Sequence, residues 1–307
     1  MVTADSEHRR RHTRHHSALL LVAMAALLSY CGWIIAAWDG IVWSLVGGAM
    51  MLVLVQRVPS WLVLQAIGAR PVARWEEPML YEILDELCRQ AGLYRVPHLC
   101  WVGDRFPVAF TIGGGEATTI ALSEALVREM TAREIRGILA HEIVHVRNGD
   151  IALMQLAMVV GQLTRTVSQI AFLLVFFSLF LRTVSAPSLP IVPLLVLAFA
   201  PLGVGLLQLA LSRTREGEAD LEAAELTGDP HGLASALAKL RRQEQMLLRG
   251  RFPTAAPLRV PSLFRDHPAT EERIQALLAM QQPHGREPPD EDLMDHPYQA
   301  KGLRPWG

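Results

Sequence analysis

Charged residues are scarce in this chain, and the scarcity is uneven. Asp, Glu, Lys and Arg make up 19% of the 307 residues and hydrophobic residues 51%, whereas a soluble domain carries about 25% charged residues. The deficit sits in a few long uncharged runs, which points to a membrane protein rather than to the soluble two-domain enzyme that length alone would allow. A net charge of -1 gives no basis for nucleic-acid binding. Cysteine is scarcer still. Cys31, Cys88 and Cys100 are odd in number and match no C-x-x-C spacing, which argues against a disulfide framework and against a thiolate zinc site. Nor is there a phosphate loop. The run Gly113-Gly114-Gly115 lacks a following G-K-[ST] and reads as a hairpin tip.

What is present begins with a basic tail, residues 1–16, holding Arg9, Arg10, Arg11 and Arg14. Its histidines suit metal in principle, but a solvated charge run accounts for them more simply. Ser17 to Trp38 is then free of charge and long enough to cross a bilayer, which takes about 20 residues. The run is too long for a signal peptide, lacks a clear cleavage site, and is followed at once by a second apolar run, Ile41 to Gln56. Only Asp39-Gly40 separates the two. Residues 17–69 therefore read as a transmembrane hairpin, with Gly47-Gly48-Ala49 available for close helix packing.

Residues 70–150 have soluble character. The sequence predicts a helix over 78–90, started by Pro78 and ended by Gly92, and short strands over 96–102, 108–112 and 118–122. Residues 151–212 read as a second transmembrane hairpin. Ile151 to Leu181 is uncharged apart from Arg165 and would form one helix of about 45 Å. Its first half is expected to leave the bilayer and pack on the soluble part. A turn is expected near 183–190 and a fourth span near 191–211. Residues 213–281 read as soluble helices over 213–226, 232–249 and 270–280, and residues 282–307 as a disordered tail rich in proline and charge.

Arg57, Arg70 and Arg74 follow the second span and Arg213 and Arg215 the fourth, while the two hairpin tips hold only Arg182 between them. Basic residues favour the cytoplasmic side. The tail, residues 70–150 and residues 213–281 are thus expected in the cytoplasm, in a multi-pass protein of the cell (inner) membrane with both termini inside. The fold class expected is mainly α with a small β-sheet: four membrane helices carrying a cytosolic catalytic domain.

Chemistry concentrates in one helix. Thr131 and Glu134 form a capping box that opens it. It then carries His141-Glu142-Ile143-Val144-His145. Two histidines four apart project from one helix face, and paired imidazoles suit Zn²⁺. Glu142, offset by one residue, is placed to take a proton from water in an open coordination position and later return it to a leaving amine. A helix with two structural histidines is the plainer reading. The surrounding Ile138, Leu139, Ile143 and Val144 weigh against it, because three polar groups in a buried helix are costly without partners.

A catalytic zinc site needs a third protein ligand. Acids cluster at Glu216, Glu218, Asp220, Glu222 and Glu225. Glu216, Ala219, Asp220 and Ala223 share a helix face whose small residues permit close approach. There Glu216 suits the metal, and Asp220 suits a hydrogen bond to a ligand imidazole. Glu218 remains a rival by spacing, and Glu222 and Glu225 read as a solvated face.

These motifs resemble those of the M48 peptidases, which include HtpX-type membrane proteases and Ste24-type CAAX prenyl proteases. The resemblance runs over about 75–280 and rests on Leu139-Ala140-His141-Glu142-Ile143-Val144-His145 with Asn148 and Asp150, on Ser212-Arg213 with Glu216-Gly-Glu-Ala-Asp220, and on His267-Pro268 with Arg273. It implies a zincin-type metalloendopeptidase with one Zn²⁺ held by His141, His145 and Glu216, Glu142 as catalytic base and Asp220 behind the metal. It further implies that His267 and Arg273 bind substrate or steady the oxyanion. The second Asp-His-Pro, at 295–297, lacks the following Arg and carries nothing over. One departure stands out: the family's Asn-Ala-Phe segment reads Pro107-Val-Ala-Phe110 here. That stretch is expected as an edge strand on which an extended peptide could pair.

The function expected is hydrolysis of peptide bonds in misfolded or membrane proteins, as protein quality control, with protein or peptide substrates and the lipid bilayer as partners. A CAAX prenyl-protein endopeptidase is the nearest alternative, disfavoured because more than four spans are expected of one. A non-catalytic zinc-bearing scaffold is disfavoured by Glu142, since a structural site has no use for a base. The motifs specify a chemistry rather than a substrate or an oligomeric state.

Overall fold

The computed structural model describes residues 4–58, 60–103, 107–113, 118–183, 190–248 and 270–280. In chain order the elements are α1 (Ala4–Arg57), α2 (Ser60–Ala66), β1 (Arg70–Pro71), α3 (Pro78–Ala91), β2 (His98–Val102), β3 (Ala109–Ile112), β4 (Thr119–Ser123), α4 (Glu124–Glu129), α5 (Ala132–Asn148), α6 (Asp150–Thr183), α7 (Ile191–Thr227), α8 (Pro230–Leu248) and α9 (Glu271–Leu278). They form two compact units. One comprises Met1–Arg57 with Ala152–Arg215, the other Val58–Ile151 with Glu216–Gly307.

The first unit is built from apolar helices. Among the described residues three stretches are long and apolar enough to cross a membrane: His15–Arg57, Asp150–Leu181 and Ile191–Thr227. The count is three rather than the expected four because both N-terminal apolar runs lie within α1. That helix is broken at Ala36 (φ -146°, ψ 33°) and Ala37 (φ 49°, ψ -128°), just before the expected turn at Asp39-Gly40. The chain folds back there. Gly32 and Gly40 touch backbone to backbone, with no room for a Cβ on either, and Leu28 lies against Gly48. The closest approach thus falls on Gly32 and Gly40. Of the predicted small-residue cluster, Gly48 faces Leu28 and Leu163, whereas Gly47 faces open space. The basic tail is also part of α1, whose helix begins at Ala4.

α6 differs from expectation too. Its first half packs within this unit: Ala157 and Val160, flanked by Leu153 and Leu156, cluster with Met24, Leu28, Val204 and Leu211. Across α6 and α7, Gln208 Nε2 donates to the Ala157 carbonyl at 2.7 Å and Ser168 Oγ to that of Ala198 at 2.6 Å. Such bonds satisfy polar groups where lipid offers none. Large apolar side chains still face outward, with Trp38 77%, Trp43 72% and Phe176 71% exposed. In water so much exposed apolar surface would drive association; a bilayer covers it.

The second unit is a mixed sheet packed with helices. Strand order is β1-β2-β4-β3. β2 and β4 are parallel, while β1 pairs with β2 and β3 with β4 in antiparallel fashion. The predicted strands are present with slightly shifted ends, and β3 lies at an edge of the sheet. The hairpin tip at Gly113–Gly115 falls mostly outside the described residues. α3 buries Leu80, Ile83, Leu84, Leu87 and Cys88, one stripe at helical spacing. This stripe joins Leu99, Trp101, Ile120 and Leu122 of the sheet and Ile135, Leu139, Ile143 and Val144 of α5 in one core. Burial pushes the Cys88 and Cys100 thiols up to about 11, which makes them poor nucleophiles. The expected separate helix over 213–226 is instead the last part of α7, continuous with the apolar stretch before it.

Candidate metal centre

α5 is anchored at its start. Thr131 and Glu134 form the predicted capping box, and Glu134 also accepts from Ser235 Oγ at 2.6 Å and Lys239 Nζ at 2.6 Å. Burial alone would raise the Glu134 carboxyl, but the bonds from Lys239, Ser235 and the Thr131 amide outweigh it and hold it below the usual range. α5 ends at Gly149, which is left-handed with φ 72°. A glycine adopts this conformation without strain. The turn brings Asp150 back beside His145.

His141, Glu142 and His145 are buried, at 5%, 2% and 4% exposure. Glu216, delivered by α7, is equally buried. His141 Nε2 lies 3.0 Å from His145 Nε2. Glu216 Oε2 is 3.3 Å from the first of these and Oε1 3.6 Å from the second. Among the described residues this trio is the one group whose ligand atoms gather within 4.8 Å of one another. Glu218 is half-buried and outside that group.

The far side of each ring explains why the Nε2 atoms converge. His145 Nδ1 lies 2.7 Å from Asp150 Oδ2, and His141 Nδ1 lies 3.0 Å from Asp220 Oδ1. A carboxylate at Nδ1 holds the proton there, which leaves the Nε2 lone pair free. Two lone pairs and a carboxylate then face a single point, an arrangement that repels itself unless a cation fills it. With no cation at that point a second proton takes its place on His141: burial disfavours it, but Asp220 and Glu216 outweigh burial and push the His141 pKa up to about 10. The site demands positive charge. Ligands at about 2.05 Å from a tetrahedral zinc stand about 3.3 Å apart, and the three measured separations bracket that value. The residues present fit a zinc ion.

Arg273 completes the arrangement. Its Nε and Nη2 donate to Asp220 at 2.6 Å and 2.7 Å, and Nη1 lies 2.9 Å from Glu216 Oε2. The side chain is 8% exposed, and these donors are directed to two buried carboxylates. Burial lowers the pKa of Arg273, but Asp220 more than compensates. His267 lies outside the described residues.

Glu142 is not one of the trio; it accepts from Thr111 Oγ1 at 2.6 Å. Thr111 sits on β3, whose burial alternates. Phe110 and Ile112 pack into one small core, so Ala109 and Thr111 turn to the opposite face. That alternation was the available signal for Thr111, to which sequence reasoning had assigned no role. Asp150 was recognised only as part of the motif; an acid directly after a C-cap glycine was its signal. Glu222 is a further correction. It is buried and accepts from Asn148 Nδ2 at 2.9 Å and from Arg147, fastening the end of α5 to α7, whereas Glu225 is exposed as expected.

Comparison with known proteins places the chain in a family. The family model described as peptidase family M48 matches residues 74–281. Similar curated proteins are named protease HtpX homolog. That of Methylibium petroleiphilum is 32% identical over 277 residues, covering 86% of this chain and 96% of the relative. That of Paraburkholderia phytofirmans is 32% identical over 281 residues, covering 86% and 95%. That of Acaryochloris marina is 34% identical over 238 residues, covering 74% and 80%.

Proposed function

The chain belongs to peptidase family M48, and from that premise we propose that it is an HtpX-like, zinc-dependent endopeptidase of the membrane. The observation that carries this reading is the buried convergence of His141 Nε2, His145 Nε2 and the Glu216 carboxylate, each imidazole backed by its own acid. In this reading the three residues hold one Zn²⁺. Bound zinc would supply Lewis acidity, lowering the pKa of water and polarising a scissile carbonyl.

The protein's own groups do the rest. Asp220 and Asp150 fix the tautomer and direction of His141 and His145. Arg273, tied to both Asp220 and Glu216, neutralises the buried acids and orients the carboxylate of Glu216. Glu142, held by Thr111, takes the proton of the attacking water and passes it to the departing amine. β3, at the sheet edge, offers backbone groups on which an extended peptide can pair.

The two arms of α1 count as separate spans in this proposal, which makes four with α6 and α7. An even number puts both termini on one side, and the placement of Lys and Arg assigns that side to the cytoplasm of the cell (inner) membrane. Residues 70–150 and 213–281 then form one cytosolic catalytic domain. Its substrates would be misfolded or membrane proteins.

Purified wild-type protein should contain one zinc per chain and cleave an unfolded casein-like substrate. Glu142→Gln should keep the zinc and lose about 10²–10⁴-fold in rate, the usual contribution of a general base. Full cleavage by that variant, or by metal-stripped protein, would overturn the reading.

A further inference from the structure

The apolar part of α6 carries a charge that the peptidase chemistry leaves unused. Arg165 interrupts the uncharged run of α6. It is exposed, and the one polar contact found for it is Nε to the Gly161 carbonyl at 3.4 Å. No carboxylate pairs with it among the described residues.

Its depth follows from its neighbours. The uncharged run Ser17–Trp38 spans about 33 Å as a helix, close to the hydrocarbon thickness of about 30 Å. The centre of that run is Leu27-Leu28. Leu27 lies against Gly203 and Leu28 against Gly48, which also meets Leu163. Gly48 is central in the run Ile41–Gln56, and Pro201 is central in the apolar part of α7. Three segments thus place their midpoints level with Leu163–Arg165. The guanidinium sits near mid-bilayer, where an ionisable group is costly and rarely without a task.

Arg165 borders a groove of about 350 Å³ between α6 and α7, lined also by Ser168, Gln169, Phe172, Phe199 and Pro201. Pro201 has no N–H for the Leu197 carbonyl four residues earlier, so polar backbone is freed on the same level. The walls are otherwise apolar. A lipid phosphate is excluded as occupant by depth, since it lies about 15 Å from the midplane, beyond the reach of an arginine side chain. A second copy of this chain is disfavoured by charge. Its spans contain no acid at this level, and a symmetric contact would bring Arg165 towards its own copy.

We propose that this groove docks a transmembrane helix of a protein substrate and reads a carboxylate exposed within the bilayer. The inference rests on the membrane-peptidase reading and names the feature by which such an enzyme would select an unassembled membrane protein. An acid that has lost its own partner helix is the chemical counterpart of an unpaired arginine at the same depth.

The test uses the full-length protein in liposomes with two single-span substrates of identical cytosolic sequence, one with Asp and one with Leu at mid-span. Wild type should cleave the Asp substrate about tenfold faster, the scale of one interhelical polar contact in a bilayer. Arg165→Leu should bring the ratio to one, Arg165→Lys should preserve a preference, and Arg165→Glu should reverse it towards a Lys-bearing span. The ratio within one variant does not depend on how much of that variant folds. A wild-type ratio of one, or a ratio unchanged in Arg165→Leu, overturns the proposal. Binding is read separately with a photo-reactive residue replacing Phe199 in the Glu142→Gln background. Crosslinks to the Asp-bearing span support docking; crosslinks to lipid alone or to a second copy refute it. If neither substrate is cleaved, the peptidase reading fails while crosslinking still decides this one.

Discussion

Asp220→Asn isolates the charge behind His141 without changing its volume. In the wild type Asp220 is 3% exposed and receives His141 Nδ1 at 3.0 Å and Arg273 Nε and Nη2 at 2.6 Å and 2.7 Å. Asparagine keeps one acceptor but presents N–H to a second donor. Two losses follow. His141 loses the carboxylate that fixes its tautomer, and zinc affinity should fall about 10–100-fold, the usual cost of removing such a partner. Arg273 loses its counter-charge and is left a buried cation with Glu216, so stability should fall by about 3–5 kcal/mol. Replacing both partners, as Asp220→Asn with Arg273→Gln, removes the stranded charge. The double variant should be more stable than the sum of the single variants predicts, by about 0.5–3 kcal/mol of coupling. Zinc affinity is measured by chelator competition and stability by thermal unfolding in detergent. The two separate cleanly, because the double variant recovers stability but not affinity. Wild-type zinc affinity in Asp220→Asn would refute the orienting role, and strictly additive unfolding free energies would refute the coupling to Arg273.

Thr111→Val removes the hydroxyl that donates to Glu142 at 2.6 Å. It should lower kcat by about tenfold, the worth of one hydrogen bond to a charged group, with zinc content unchanged in metal analysis. Asp229 pairs bidentately with Arg133 and accepts from the Gly232 amide; burial raises its carboxyl, but Arg133 outweighs this and holds it below the usual range. A depressed folded pKa means this contribution is present above the unfolded value of about 3.9 and is lost as pH falls through the folded value. The thermal midpoint of wild type should therefore drop on acidification below pH 4 more steeply than that of Asp229→Asn, as a pH series of melts will show. Gly32→Leu leaves no room against Gly40 and should open the fold at Ala36-Ala37, read as altered protease accessibility of the α1 hairpin in vesicles. Cys88 and Cys100, buried with pKa values about 11, should resist maleimide in the folded protein and react on denaturation.

Local order was legible in the sequence because it depends on local rules. The capping box at Thr131, the C-cap at Gly92, the stripe of α3 and the i, i+4 pairing of His141 with His145 all follow from helical periodicity within a few residues. The uncharged runs announced membrane helices for the same reason, since length and polarity decide what a bilayer accepts. Where the reading went astray, a longer range was involved. Charge alone made Glu222 look solvated, and only the packing of α7 beside Arg147 and Asn148 buries it. Nothing local shows that Arg273 meets Asp220 and Glu216, which depends on the approach of α9 to α7. The fold-back at Ala36-Ala37 precedes the polar Asp39-Gly40, because backbone contact between Gly32 and Gly40 sets the turn.

By itself the sequence determined the kind of chemistry and the place of each group along its own helix: two imidazoles on one face, a base beside them and an acid-rich helix after the last apolar run. Spacing left Glu216 and Glu218 as rivals, which the motif resemblance resolved in favour of Glu216; the tertiary structure gathers Glu216 with the two rings and shows which acid backs His145, which hydroxyl holds Glu142 and which guanidinium balances the charge. Helical periodicity fixes directions relative to one axis only. His141 and Glu216 are 75 residues apart in the chain, and their meeting depends on how the cores of α3, α5, α8 and the sheet close around them.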